Sequence, residues 1–300
     1  MTANLTTARP SQLRAWVMAA RPPTLPAAIV PVLVGSAVAY AQGAFRPLPF
    51  LAALVAALLI QVGTNFANDY FDYRKGADTA ERLGPTRVTQ SGLISPEAVL
   101  RGTALVFGLA ALIGLYLIAV GGWPILVIGA LSIAAGVLYT AGPFPLGYNG
   151  LGDLFAFVFF GLVAVAGTAY LHLGAVPLAA LFYAVPVAML VTAILVVNNL
   201  RDVDTDRAAG KRTLAVIFGR GFARAEYAAL TLGAYLLLPI GVALGLASAW
   251  SLLPLLTLPL AAPLVRTMLT ETGPALNAAL KGTGRLHLFF GVLLALGMIP

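Results

Sequence analysis

Nine apolar runs of roughly bilayer-spanning length dominate this 300-residue chain, near 24–42, 48–72, 95–119, 124–141, 151–171, 175–200, 222–245, 249–270 and 279–299. A spanning helix needs about 20 apolar residues, and hydrocarbon leaves no solvent for unpaired backbone groups. Runs of this length and number restrict the chain to an all-α polytopic membrane protein. Composition agrees, with 60% hydrophobic and 10% charged residues where soluble chains carry about 25% charge. The expectation is a single transmembrane domain over 1–300, made of nine helices, with 1–21 as an N-terminal segment and polar loops at 73–94 and 201–221. The basic residues before the first run, with Ala39, Tyr40 and Ala41 near its end, imitate a secretion signal. The run is longer than the 7–15 residues of a signal core and starts late, so it reads as a span, opened by Pro22, Pro23 and Pro26.

The net charge is +7, and in a membrane chain the side on which each cation falls is the useful quantity. With nine crossings, 17 of the 18 Lys and Arg residues lie on the side of the N-terminus, and Arg46 alone lies opposite. The positive-inside rule then puts the N-terminus in the cytoplasm and the C-terminus outside. Nothing in this distribution calls for nucleic acid, and no obligate protein partner is evident. The chain has no cysteine, which excludes thiolate metal sites and thiol nucleophiles.

Seven of the eleven acidic residues sit in two short segments: Asp69, Asp72, Asp78 and Glu81, then Asp202, Asp204 and Asp206. Each follows an even-numbered helix, so both face the same side, and NDYFDYRKGAD at 68–78 echoes NNLRDVDTDRAAGK at 198–211. Gln61, Asn65, Asn68 and Asp72 follow at steps of four, three and four, which is one helix face. Asn198, Asp202 and Asp206 repeat the pattern. Two polar stripes therefore point into one central cavity open to water at the cytoplasmic boundary, because charge at mid-bilayer costs about 2.5–3.5 kcal/mol on insertion scales.

Clustered carboxylates are held together best around a cation, and oxygen-only donors favour Mg²⁺. Magnesium usually takes one or two carboxylates and completes its shell with water and substrate phosphate. Arg21, Arg74, Lys75, Arg201 and Lys211 supply cations for that phosphate. The combination reads as a magnesium diphosphate pocket at the mouth of an apolar cavity, suited to an isoprenyl diphosphate.

These residues resemble the paired aspartate-rich motifs of the UbiA-type intramembrane prenyltransferases, and within them the branch acting on 1,4-dihydroxy-2-naphthoate. The matching stretches are RPPTLPAAIVPVLVGSA at 21–37, NDYFDYRKGAD with RLGPTRVTQSG at 68–92, YTAGPFPLGYNGLGDLFAFVFFG at 139–161 and NNLRDVDTDRAAGKRTLAVIFG at 198–219. The family pattern would put an aspartate at 76, which is Gly76 here; Asp78 is read as its shifted partner. The resemblance implies a nine-helix UbiA-like bundle in a bacterial cytoplasmic membrane. It implies Mg²⁺ on Asn68, Asp72, Asp202 and Asp206, with Asp69 and Asp78 close by. Lys211 and the arginines receive the leaving charge. The implied partners are a polyprenyl diphosphate, 1,4-dihydroxy-2-naphthoate and the lipid bilayer. Transfer proceeds with loss of carbon dioxide and a proton to demethylmenaquinone. Tyr139 or Asn198, with Asn65, orients the acceptor, and Asp153 either caps a helix or lines the acceptor pocket.

Other readings stand beside this one. A cation-coupled transporter would use the same acids, although transporter sites usually lie at the midplane in broken helices. A phosphatidyltransferase would carry an Asp-Gly pair, which the sequence lacks. Within the family, 4-hydroxybenzoate, haem or chlorophyll acceptors are rivals. His172 and His287 stand alone and read as structural, and Tyr70 and Tyr73 as interfacial anchors.

Overall fold

The structure is a computed structural model that describes residues 10–77 and 83–299; Asp78 and Glu81, expected near the metal, lie outside the described residues. Every regular element described is helical. Helix α1 (Gln12–Ala20) starts at Ser11, whose hydroxyl accepts the Arg14 amide hydrogen at 3.3 Å. A 51° bend joins Gln12–Thr24 to α2, Pro26–Ala41. Then follow α3 (Pro47–Arg74), α4 (Pro96–Gly121) and α5 (Trp123–Leu138). Each of α2 to α5 has proline in its first two positions, where a missing amide hydrogen costs nothing. Helix α6 (Gly152–Leu173) contains a π-helical stretch, Ala156–Val163. Helix α7 (Leu178–Arg201) passes through Asp202 into the short α8 (Val203–Ala208). Helix α9 (Leu214–Ala243) breaks at Gly219, whose φ of 86° only glycine adopts freely. Helix α10 (Leu258–Thr270), led by a 3₁₀ stretch, and α11 (Leu276–Leu296) complete the bundle.

Helix α7 is the axis of the bundle, with 72% of its most apolar window buried inside the protein. It packs on α2, the π segment of α6, α9 and α11. Close approach depends on glycine. A Cβ built on Gly161 would lie 2.0 Å from Cβ of Ala188, and one on Gly35 would lie 2.4 Å from the Val165 carbonyl oxygen. Small residues at crossing points are how helices associate in lipid, where hydrophobicity gives no preference for protein over lipid tails. The outer face reverses the soluble pattern: Leu105, Leu109 and Leu112 of α4 point outward at helical spacing.

All nine expected runs coincide with helical segments, but they do not all qualify as spans. Seven helices are long and apolar enough to cross a bilayer, and the bent pair makes an eighth. Helix α5, with 16 residues, is about 24 Å long, short of the roughly 30 Å hydrocarbon core. The protein is thus an all-helical membrane protein with seven or eight candidate spans among the described residues.

Candidate active site

The two polar stripes meet. Gln61, Asn65, Asn68 and Asp72 of α3, and Asn198, Asp202 and Asp206 at the end of α7 and on α8, all line one cavity of about 730 Å³. The helical spacing survives the α7–α8 junction because the Asp206 amide still donates to the Asp202 carbonyl, at 2.7 Å. Below the polar mouth the walls are apolar: Ala27, Ala28, Ile60, Phe155, Phe159, Phe160, Val191, Ile194 and Leu195. The aromatic residues come from the start of α6 and its π stretch, a local widening that recurs at functional sites.

Asp72 is the hub of the mouth. The Tyr148 hydroxyl donates to its Oδ1 at 2.6 Å, Arg87 Nη2 donates to its Oδ2 at 3.2 Å, and Lys211 Nζ stands 3.4 Å from Oδ1. The same Lys211 Nζ is 3.9 Å from Asp206 and 4.7 Å from the centre of the Tyr148 ring. Residues 139 positions apart in sequence therefore share one ion-pair network. Asn68 faces the cavity with its Oδ1 accepting from the Thr140 hydroxyl at 3.0 Å. Asn65 donates to the Ala20 carbonyl and to the Thr24 hydroxyl, both at 3.0 Å, which ties α3 to the bend before α2. Arg21 lines the cavity from that bend, with a φ of 51°, the one positive φ of a non-glycine residue described. Backbone held in that region costs on the order of 1–3 kcal/mol and persists where the surroundings over-determine it, often at functional sites.

Several expected roles are corrected by position. Arg201 does not line the cavity. Its enclosed guanidinium makes a bidentate pair with Asp202, at 2.8 and 2.6 Å, and donates to Asn198 and Asn277 at 2.6 and 3.0 Å. It neutralises Asp202 instead of reaching for a phosphate. Arg74 is exposed outside the cavity. Lys75 also stays outside it, donating to the Thr140 carbonyl at 2.7 Å and resting 5.0 Å from the centre of the Tyr148 ring, so it buttresses the tyrosine. Burial lowers the Lys75 pKa, Asp72 opposes this, and Lys211 adds to it. Asp69 is turned away from the cavity, where its carboxylate accepts the backbone amides of Thr89 and Val88 at 2.9 and 3.3 Å. Asp153 is buried behind the wall, held by the Asn199 carboxamide at 3.3 and 3.4 Å, while Asn199 itself faces inward. Tyr139 lines the cavity, and burial, reinforced by Asp153, Asp206 and Asp72, pushes its phenol pKa up. His172 is structural: it joins Ser36 to the Arg46 backbone amide.

Among the lining residues that escaped the sequence reading are Arg87, Tyr148, Asn277 and Lys281. Arg87 and Tyr148 lay inside the matched stretches 82–92 and 139–161 but without periodicity to mark them. Asn277 and Lys281 stand at helical spacing near the start of the last helix, where they read as an ordinary polar end.

The described helices thus enclose a cavity that is polar and charged at one end and apolar in its body, a shape suited to a molecule with a charged head and an apolar tail. The sequence profile of the UbiA prenyltransferase family matches residues 28–297. The chain belongs to that family, and it is a prenyltransferase. It is 39% identical over 295 residues to the 1,4-dihydroxy-2-naphthoate octaprenyltransferase of Escherichia coli K12, covering 96% of each chain. With the protein of the same name from Mycobacterium tuberculosis it shares 42% over 246 residues, 82% of this chain and 83% of that one. Its fold resembles that of a UbiA homologue from Archaeoglobus fulgidus bound to GPP and Mg²⁺, with a TM-score of 0.66 at 16% identity, over 95% and 99% of the two chains. An apo UbiA homologue from Aeropyrum pernix superposes with a TM-score of 0.68 at 17% identity, over 91% and 96%.

Proposed function

We propose that this protein transfers a polyprenyl group from polyprenyl diphosphate to 1,4-dihydroxy-2-naphthoate, releasing diphosphate and carbon dioxide on the way to menaquinone. The observation that carries the reading is the convergence of Asp72, Asp206 and Lys211 on one polar mouth above an apolar cavity. The names of the relatives support the acceptor, and a homologue bound to GPP and Mg²⁺ supports the donor and the metal.

The donor set fits magnesium. Asn68, Asp72, Asp202 and Asp206 offer oxygen only, and among the described residues no three His, Asp or Glu side chains cluster tightly enough to hold an ion by themselves. That suits a metal that completes its shell with substrate oxygens. When bound, Mg²⁺ supplies a divalent counter-charge to the diphosphate. Lys211 and Arg21, at the same mouth, meet the charge that grows on the leaving oxygen as the allylic C–O bond breaks and its electron pair departs with diphosphate. Phe155, Phe159, Ile60 and Leu195 surround the remaining carbocation with hydrocarbon and exclude water. Asn65, Tyr139 and Asn198 hold the naphthoate ring over it. The ring forms the new C–C bond, and its carboxylate leaves as carbon dioxide, whose bonding pair restores the aromatic ring. The product is demethylmenaquinone, in its quinol form as the electrons are counted. The polar end is read as facing the cytoplasm of a bacterial cell, because the nine-crossing arrangement expected from the sequence would put 17 of the 18 Lys and Arg residues on that side.

Membranes containing the protein are expected to prenylate 1,4-dihydroxy-2-naphthoate with Mg²⁺ and to stop in EDTA. Activity that survives chelation overturns the metal assignment. A preference for 4-hydroxybenzoate in the same assay replaces the acceptor and leaves the rest standing.

A further inference from the structure

Asp69 is 1% exposed and does not line the cavity. A buried carboxylate needs donors, and Asp69 finds them in a stretch of chain that is not helical: the amides of Val88 and Thr89. The chain then closes on itself, with the Ser91 hydroxyl donating to the Arg87 carbonyl at 2.7 Å and the Leu93 amide to the Val88 carbonyl at 2.9 Å. On the other face of this loop, Pro85, Thr86 and Arg87 form part of the cavity wall. Arg87 is 6% exposed and reaches Asp72 at 3.2 Å. A second clip holds the loop's start, where Asn277 donates to the Leu83 carbonyl at 2.8 Å.

We propose that Asp69 is a positioning residue that acts through Arg87: by accepting two consecutive loop amides it fixes the backbone from which Arg87 projects into the polar mouth, and Arg87 binds the diphosphate of the donor. The spacing explains the division of labour. Asp69 and Asp72 are three residues apart on α3, so they leave the helix on adjacent lines of one side. One grips the loop from behind, and the other meets the arginine that the loop delivers. Guanidinium is suited to this task because its planar fork of donors matches two phosphate oxygens at once. The assignment rests on the diphosphate reading above and replaces metal ligation as the role of Asp69.

The test compares Asp69→Asn, Arg87→Ala and the double variant in detergent-purified full-length protein. Asparagine keeps the shape but offers one acceptor and places an NH₂ against the second amide. Binding of geranyl diphosphate, read by calorimetry without acceptor, should weaken about 10-fold in Asp69→Asn, the size of one charge-assisted hydrogen bond of about 1.5 kcal/mol. It should weaken at least as much in Arg87→Ala, and no further in the double variant. Trypsin cleavage after Arg87, followed by mass spectrometry, should accelerate in Asp69→Asn while the thermal midpoint stays near that of the parent. Additive losses in the double variant, or unchanged cleavage, overturn the positional role. A shift of the Mg²⁺ midpoint in Asp69→Asn as large as in Asp72→Asn would return Asp69 to the metal. Parent protein that binds no diphosphate would sink the functional reading itself, an outcome distinct from the others.

Discussion

Asp202 and Asp204 are two residues apart and do different work. Asp202 is buried at the cavity wall with both oxygens held by Arg201, whereas the Asp204 side chain is 64% exposed and pairs with Arg220 and Arg207 on the surface. Exposed pairs contribute roughly 0–1 kcal/mol, while a group that holds charge in the transition state is worth several. Asp202→Asn is therefore expected to lower kcat at least about 100-fold, roughly 2.7 kcal/mol, and Asp204→Asn less than about 2-fold. Equal losses in a prenyl-transfer assay would mean that the facing of the two acids is misread. Residue type and spacing pointed to Asp202 from the sequence, because it stands four residues from both Asn198 and Asp206. They misdirected Arg201. A cation among acids looks the same in sequence whether it faces substrate or its own neighbour, and only the buried bidentate geometry tells the two apart.

At the scale of elements, the polar stripes were legible because a helix converts spacing into direction. The stripe on α3 runs through four residues and all four reach the cavity. The loop at 83–92 was not legible, since irregular chain has no period and Arg87 could have faced anywhere. Nor was the π stretch of α6, which seats on α7. Gly161 lies in that seat, and Gly161→Ala is expected to destabilise the protein by about 1–3 kcal/mol, because its methyl would overlap Ala188 and the α7 backbone behind it. Gly108 on α4 has open space around its missing Cβ, so Gly108→Ala should leave stability within about 1 kcal/mol of the parent or improve it. Thermal unfolding in detergent of both variants checks this. Equal midpoints would show that α6 and α7 can separate at no cost.

For the molecule as a whole, the distribution of positive charge predicts an orientation that the bundle alone does not. The chain has no cysteine, so Gln42→Cys in the α2–α3 turn and Ala208→Cys at the end of α8 introduce unique thiols at opposite ends. A membrane-impermeant maleimide is expected to label Gln42→Cys in intact cells and Ala208→Cys only after permeabilisation. Labelling of both from one side would reverse or break the proposed topology. By itself the sequence determined that this chain lives in a bilayer, that its regular structure is helical, and which two segments would carry the proposed chemistry. Hydrocarbon leaves the backbone no alternative to internal hydrogen bonding, and helical periodicity is written in residue spacing. Only the tertiary structure decided that the segments share one cavity, that Arg201 and Asp69 hold other protein groups, and that Arg87 and Tyr148 complete the mouth. Those are contacts between residues far apart in the chain, made where helices cross and loops fold back, and no local pattern encodes them.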